Sequence, residues 1–282
     1  MSITFDKIVE DQDKHVLVID ALNLAFRWKH SGDTDFLDSY RRTVDSLRKS
    51  YKCGKVVIAC DSGSSSYRKN ILPTYKQNRK DKFETQTPEE KEAFEKFFTE
   101  FNRVIKKYEE EERYPVLRFD RCEADDIAAY IVKNRKHWDI QKIVLASSDK
   151  DWDLLITPDV MRFSYVTRKE VTWENWNEHY DYDQEHHISI KCLTGDSGDN
   201  VPGVQGIGPK KALSVIQAYG SVLEIAASLP VNSKYKYIAN LNIFGCDSLV
   251  KNYQLMDLLE FCSDALGPDN CDAINNKLKV YI

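Results

Sequence analysis

Residues 120–132 read DRCEADDIAAYIV, and residues 142–155 read KIVLASSDKDWDLL. In the first stretch Glu123, Asp125 and Asp126 lead into the apolar run Ile127–Val132. That pattern predicts a helix with acids in its first turn, where the helix dipole favours negative charge by a few tenths of a kcal/mol up to ~1 each. Capping alone would account for one or two such acids. The second stretch asks for more. Ile143–Ser147 is a short apolar run without helical spacing, the pattern of a buried parallel strand. Asp149 and Asp151 follow its carboxyl end, where open α/β sheets bind ligands. Carboxylates gathered at one point repel one another unless cations lie between them. Hard divalent ions such as Mg²⁺ fill that role with oxygen ligands.

Working outward, His15–Ile19 is another apolar strand and Asp20 closes it; Lys55–Cys60 is a third and Asp61 closes it. Val116–Phe119 predicts a strand feeding the Glu123 cluster, and Arg162–Val166 and Glu170–Thr172 predict strands at the sheet edge. Residues 39–51 have helical spacing, and Trp152–Ile156 reads as a short helix. Strands alternating with helices imply a parallel α/β sheet whose carboxyl ends share one edge. Asp20, Asp61 and Asp149 would then converge on the Glu123–Asp126 cluster.

Residues 62–83 change character. They carry Arg68, Lys69, Lys76, Arg79, Lys80 and Lys82 against the single acid Asp81, with Tyr67, Tyr75 and Phe83 interleaved. Their glycine, serine and proline predict a loop-like, mobile segment. Basic groups for phosphate and aromatics for bases make a single-strand-binding surface; the alternative is a solvated loop. Thr87-Pro88-Glu89-Glu90 then starts a long helix, with threonine at the cap, proline at the first helical position and glutamate three after the cap. From about residue 187 the chain reads as helical. Gly206-Ile207-Gly208 forms a tight turn, and Pro209 starts a helix. Backbone N–H groups at that helix start, beside Lys210 and Lys211, suit a phosphate. His179, His186 and His187 lack partners at metal spacing and read as surface histidines.

A chain of 282 residues with 42% hydrophobic content holds one large domain or two unequal ones. No apolar run approaches the ~20 residues of a membrane span. The first fourteen residues are polar and acidic, so they read as peripheral and not as an export signal. Seven scattered cysteines without a C-x-x-C pair read as reduced thiols in a cytosolic protein. The net charge of −5 argues against a nucleic-acid partner only if the acids are evenly spread; setting nine metal-site carboxylates aside turns it into +4.

Taken together, VIDALNLAFR, ACDSG, LPTYKQNR, CEADDIAAYIV, SSDKDWDLL and TGDSGDNVPGVQGIGPKKA resemble the structure-specific 5′-nucleases, most closely the bacteriophage flap endonucleases (5′→3′ exonucleases). The resemblance covers nearly the whole chain. It implies a PIN-like α/β core with a parallel-rich central sheet flanked by helices over residues 1–186. A helical arch at about 67–113 and a C-terminal helix–three-turn–helix module over 187–282 would complete the fold. Asp20, Asp61, Glu123, Asp125, Asp126, Asp149, Asp151, Asp196 and Asp199 match the family's metal ligands. Two or more Mg²⁺ ions are implied, with Mn²⁺ able to substitute, and K⁺ at the Gly206–Gly208 hairpin. Lys76 and Arg79, with Asp149 and Asp151, match catalytic positions. Arg27, Tyr75, Lys76, Arg79, Lys191, Gly206, Gly208, Lys210 and Lys211 match positions that bind DNA.

The implied activity is metal-dependent hydrolysis of 5′ flaps, pseudo-Y junctions and duplex ends during replication. RNA in primers remains compatible as a substrate. The implied setting is the cytoplasm of a bacterium or a phage-infected host, with no membrane and a monomeric enzyme. A PIN-like ribonuclease is the rival enzyme, and residues 187–220 argue against it because they resemble a duplex-DNA grip. A non-catalytic junction-binding protein is the rival of another class; it would need one of the acids replaced, and none is.

Overall fold

The computed structural model describes residues 12–282, so most of the acidic leader lies outside the described residues. Six strands form one sheet: β1 His15–Asp20, β2 Lys55–Cys60, β3 Val116–Arg118, β4 Lys142–Ala146, β5 Val160–Ser164 and β6 Lys169–Val171. Their order is β3-β2-β1-β4-β5-β6. The first five run parallel, and β6 pairs antiparallel with β5 at the edge. Val16, Leu17, Val18 and Ile19 have no exposed surface, as expected for a central strand covered on both faces. The order reverses direction between β1 and β4, and such a switch point opens a crevice at the carboxyl ends of the strands.

The chain divides into two compact units that interleave in sequence. The α/β unit comprises the stretch up to Ser65, Gln86–Glu174 and Cys262–Ile282; the helical unit comprises Ser66–Thr85 and Asn175–Phe261. This differs from a single boundary between residues 186 and 187, for two physical reasons. The C-terminal helix Pro268–Tyr281 is fixed to the sheet, with Lys277 Nζ donating to the Val116 carbonyl at 2.8 Å and Val56 N–H donating to the Tyr281 hydroxyl at 3.2 Å. The basic segment, for its part, is anchored within the helical unit.

That segment is not a loop. It forms helices Ser66–Ile71 and Gln77–Glu84. Arg68 is buried and donates from Nε to the Leu255 carbonyl at 3.0 Å, and Asn78 Nδ2 donates to the Ser197 carbonyl at 2.7 Å. Asn200 Nδ2 donates to the Thr74 carbonyl at 2.8 Å. These partners lie more than a hundred residues away in sequence, so local composition could not reveal them.

The helix Pro88–Glu111 has the expected capping box: Glu90 N–H donates to Thr87 Oγ1 at 3.2 Å, and Thr87 N–H donates to Glu90 Oε2 at 2.9 Å. Such a cap contributes about 1 kcal/mol. Phe97, Phe101, Val104, Ile105 and Tyr108 recur at helical spacing and are buried in the α/β core. In the helical unit, Cys192, Leu193, Ala212, Leu241 and Leu249 form the fully buried centre.

Candidate metal-dependent nuclease site

Parallel register sets the first acids level. Asp20 pairs with Ala59 and Ile19 with Ala146, so the carboxyl ends of β1, β2 and β4 lie side by side. Asp20 closes β1 and also caps the helix Ala21–Ser31, accepting Asn23 N–H at 3.1 Å. Its second oxygen accepts the Ser147 hydroxyl at 2.7 Å, and Ser147 Oγ accepts Asp149 N–H at 3.1 Å. One hydroxyl thus links the first carboxylate to the turn after β4. Asn23 repeats the link, because its Oδ1 accepts Ser148 N–H at 2.9 Å.

The other acids are held from different elements. Asp61, one residue past β2, accepts Ala124 N–H at 3.1 Å and so caps the helix Ala124–Asn134 from outside it. Glu123 is buried and accepts Ser65 N–H at 3.4 Å. Asp126 is fully buried, and Asp125 accepts the Trp152 indole N–H at 2.6 Å. Asp149 caps the 3₁₀ turn Lys150–Leu155, accepting Asp151 N–H at 2.9 Å. Capping and ligation are therefore not competing explanations: the caps orient the carboxylates.

Electrostatics mark the cluster. The Asp20 carboxyl is pushed well above its ordinary range, first by burial and then by the charges of Asp61 and Asp149. Mutual repulsion among all-oxygen donors suits a hard divalent cation. Asp20, Asp61, Glu123, Asp125, Asp126, Asp149 and Asp151 fit such an ion in donor chemistry, and the strands that end at or just before Asp20, Asp61 and Asp149 finish side by side at the sheet's switch point.

The helical unit gathers the remaining expected residues among themselves. Asp199 accepts the Tyr75 hydroxyl at 2.8 Å and Arg79 Nη2 at 2.6 Å, and Lys76 Nζ lies 3.7 Å from it. Lys76 sits in the left-handed region at φ 55°, and its N–H donates to the Asp199 carbonyl at 2.9 Å. Tyr75 is 3% exposed with its ring in the core of the unit, so this conformation offers DNA no stacking face there. Asp196 accepts Lys191 Nζ at 3.3 Å. Burial works to raise the Asp196 pKa, but the Lys191 charge and the N–H groups of Asp199 and Gly198 outweigh it and hold the carboxyl below its usual range.

At the hairpin, Gly206 adopts φ +82°, which favours glycine, and Gly208 caps the helix Pro209–Tyr219. Lys211 Nζ donates to the Gly206 carbonyl at 2.9 Å, while Lys210 is exposed. Arg27 is exposed on the helix Ala21–Ser31, its guanidinium 5.7 Å from the Trp28 ring.

Two histidine expectations need correction. His187 is buried, packed by Trp176 and Tyr180, with its Nδ1 2.9 Å from the Tyr182 hydroxyl. A turn brings exposed Asp183 and Glu185 and half-buried His186 together, with ligand atoms within 4.8 Å of one another. The residues that sequence reasoning passed over are Asn23, Ser147, Trp152, Asp153 and Arg162. Buried polar residues beside the acids were their only signal.

Against known proteins, residues 15–181 match the 5′-3′ exonuclease N-terminal resolvase-like domain, and residues 182–271 match the 5′-3′ exonuclease C-terminal SAM fold. The chain is 37% identical over 287 residues to the flap endonuclease of Escherichia phage T5, covering 99% of this chain and 97% of that one. It is 27% identical over 195 residues to a 5′-3′ exonuclease of Aquifex aeolicus, covering 68% and 62%. A crystal structure of the phage T5 flap endonuclease as a pseudo-enzyme–product complex with DNA and metal ions superposes with TM-score 0.88 at 38% identity, covering 94% and 97%. The phage T5 5′-exonuclease with zinc bound superposes with TM-score 0.89 at 38% identity, covering 95% and 99%. The chain belongs to the 5′-3′ exonuclease family and is a nuclease of the flap endonuclease type.

Proposed function

We propose that this nuclease hydrolyses phosphodiester bonds in 5′ flaps, pseudo-Y junctions and duplex 5′ ends, using Mg²⁺ held by the acids at the sheet edge. The observation that carries this reading is geometric: Asp20 ends β1 level with the ends of β2 and β4, and the Ser147 hydroxyl ties it to the turn that carries Asp149. Asp20, Asp61, Glu123, Asp125, Asp126, Asp149 and Asp151 would hold the ions; Asp196 and Asp199 are assigned as further ligands on the family pattern. When bound, such ions supply Lewis acidity, an activated water and charge for the entering and leaving oxygens.

The chain's own residues do the rest. Ser147 and Asn23 keep Asp20 and Asp149 in fixed relation. Lys76 and Arg79 are assigned on the family pattern to offset negative charge that builds on the phosphate, the effect that lowers a barrier most when donors are preorganised. In this structure both are directed at Asp199, so phosphate must compete with that carboxylate for them. Gly206, Gly208, Lys210 and Lys211 would hold the duplex through its backbone, which selects shape over sequence. K⁺ at the hairpin would have to share the Gly206 carbonyl with Lys211. Arg27 and Lys191 are assigned to DNA on the family pattern, and Tyr75 acts in this reading through its hydroxyl on Asp199. RNA primers remain a compatible substrate. The enzyme is proposed to act as a monomer in the cytoplasm of a bacterium or a phage-infected host; among the described residues no helix is long and apolar enough to cross a membrane.

Labelled 5′-flap DNA and single-stranded RNA, each with Mg²⁺ or chelator, provide the test. Mg²⁺-dependent cutting near the flap junction is the expected result; cutting of the RNA alone, or none, overturns it. Lys210→Ala should lower the slope of log affinity against log salt by about 0.9.

A further inference from the structure

Trp152 is the largest fully buried side chain in the described protein, and it follows Asp151 directly. A fully buried indole has one polar atom to satisfy, and leaving it unmet costs ~1–3 kcal/mol. Here Nε1–H donates to Asp125 Oδ1 at 2.6 Å, a charge-assisted bond. Asp125 lies on the helix Ala124–Asn134, whereas Trp152 belongs to the turn Lys150–Leu155 that begins beside Asp149. The indole is therefore a direct tie between two acidic groups that come from separate elements.

The tie is rigid at the tryptophan end. Asp153, 1% exposed, accepts Arg162 Nη2 at 2.9 Å, and Arg162 Nη1 donates to the Ser147 carbonyl at 3.1 Å. One buried guanidinium on β5 thus braces the turn where it begins and again where it passes Trp152. The ring between these points is packed on all sides, so its N–H points in one direction. A carboxylate gripped on one oxygen by a fixed donor presents its other oxygen in a defined direction.

We propose that Trp152 is a positioning residue of the metal centre, fixing the Asp125 carboxylate relative to Asp149 and Asp151 so that the acids bind divalent ions as one set. The inference rests on the assignment of Asp125 as a ligand. Groups that orient metal ligands by hydrogen bonds affect metal affinity or activity by ~10–100-fold when removed.

The test is direct binding of Mn²⁺ to the metal-stripped full chain by calorimetry. Trp152→Phe keeps a ring and removes the donor. A second variant carries β-(3-benzothienyl)alanine at position 152, which puts sulfur in place of N–H at nearly unchanged shape and keeps the core filled. Both should bind Mn²⁺ about tenfold more weakly, the benzothienyl protein with an unaltered melting temperature. Trp152→Phe should add nothing in an Asp125→Asn background. A benzothienyl protein with the parent's Mn²⁺ affinity overturns the positioning role while Asp125→Asn still weakens binding. If Asp125→Asn itself leaves Mn²⁺ affinity unchanged, the ligand assignment fails and the inference falls with it.

Discussion

Asp20 in the α/β unit and Asp196 in the helical unit are treated in opposite ways. In the α/β unit, Asp20 receives hydrogen bonds from the neutral groups Ser147 and Asn23 while Asp61 and Asp149 repel it, and its pKa rises. In the helical unit, Asp196 is met by Lys191 and by two backbone N–H groups, and its pKa falls. Asp199 likewise receives Arg79, with Lys76 nearby. Asp196 and Asp199 meet cations of their own unit; at the sheet edge Asp20 faces two further carboxylates. In the proposed reading Mg²⁺ offsets the charge at Asp20, whereas at Asp196 it would have to share the carboxylate with Lys191.

The largest effect expected from this contrast is on chemistry. Asp149→Asn keeps an oxygen to cap Asp151 N–H but removes a charge from the repelling set. Cleavage of a 5′ flap should fall by more than the ~10–100-fold that outer partners of metal ligands typically cost. Stability in chelator should not fall. Single-turnover cleavage and thermal melting check both halves; a large loss of melting temperature with activity retained would break the comparison.

Next in size is a place where a buried carboxylate of the α/β unit, unlike Asp20, does meet an internal cation. Arg162 and Asp153 form a buried ion pair behind the turn Lys150–Leu155. Removing one partner of such a pair strands the other charge and costs ~3–5 kcal/mol. Arg162→Met should therefore destabilise by about that amount, measured by denaturant unfolding. Adding Asp153→Leu should recover much of the loss, since an apolar replacement of both partners is often neutral. No recovery would mean that the bond to the Ser147 carbonyl, and not the charge pair, carries the stability.

Much of this organisation was legible in the chain. The strand β2 begins and ends where its apolar run predicted, β1 begins where predicted and runs one residue further to Asp20, and β4 is displaced by one residue. Thr87 capped its helix as its neighbours required. The convergence of Asp20, Asp61 and Asp149 followed from parallel strands sharing an edge. What was not legible depends on distant partners. The basic segment looked mobile because its glycine, serines and charges are visible locally, whereas the carbonyls of Leu255 and Ser197 that hold it are not. Trp152 read as part of a short helix, and nothing nearby indicated that its N–H reaches back to Asp125. Arg162 read as a residue of an edge strand, although its partner Asp153 lies only nine residues earlier, because alternation predicts the strand but not where a long side chain ends.

The smallest effect is also the sharpest test of the contrast, because its sign differs between the units. Asp20 has a folded pKa raised above the ordinary 3.8, so its contribution to stability is fully present below that value and is lost as pH rises through the folded pKa. Asp196 has a lowered folded pKa, so its contribution is present above 3.8 and is lost as pH falls through the folded value. In chelator, Asp20→Asn should flatten the decline in stability on the higher-pH side, and Asp196→Asn should flatten the decline on the acid side. Each group can contribute a slope of at most ~1.4 kcal/mol per pH unit where it titrates. Saturating Mg²⁺ should abolish the Asp20 slope, since a bound cation favours the ionised carboxylate that burial and Asp61 disfavour. It should leave the Asp196 slope smaller in change, because Lys191 already performs that service. Melting temperatures of the parent and both variants across pH, with chelator and with Mg²⁺, decide the matter. If Mg²⁺ moved both slopes equally, the internal cations of the helical unit would not distinguish its acids from those of the sheet edge.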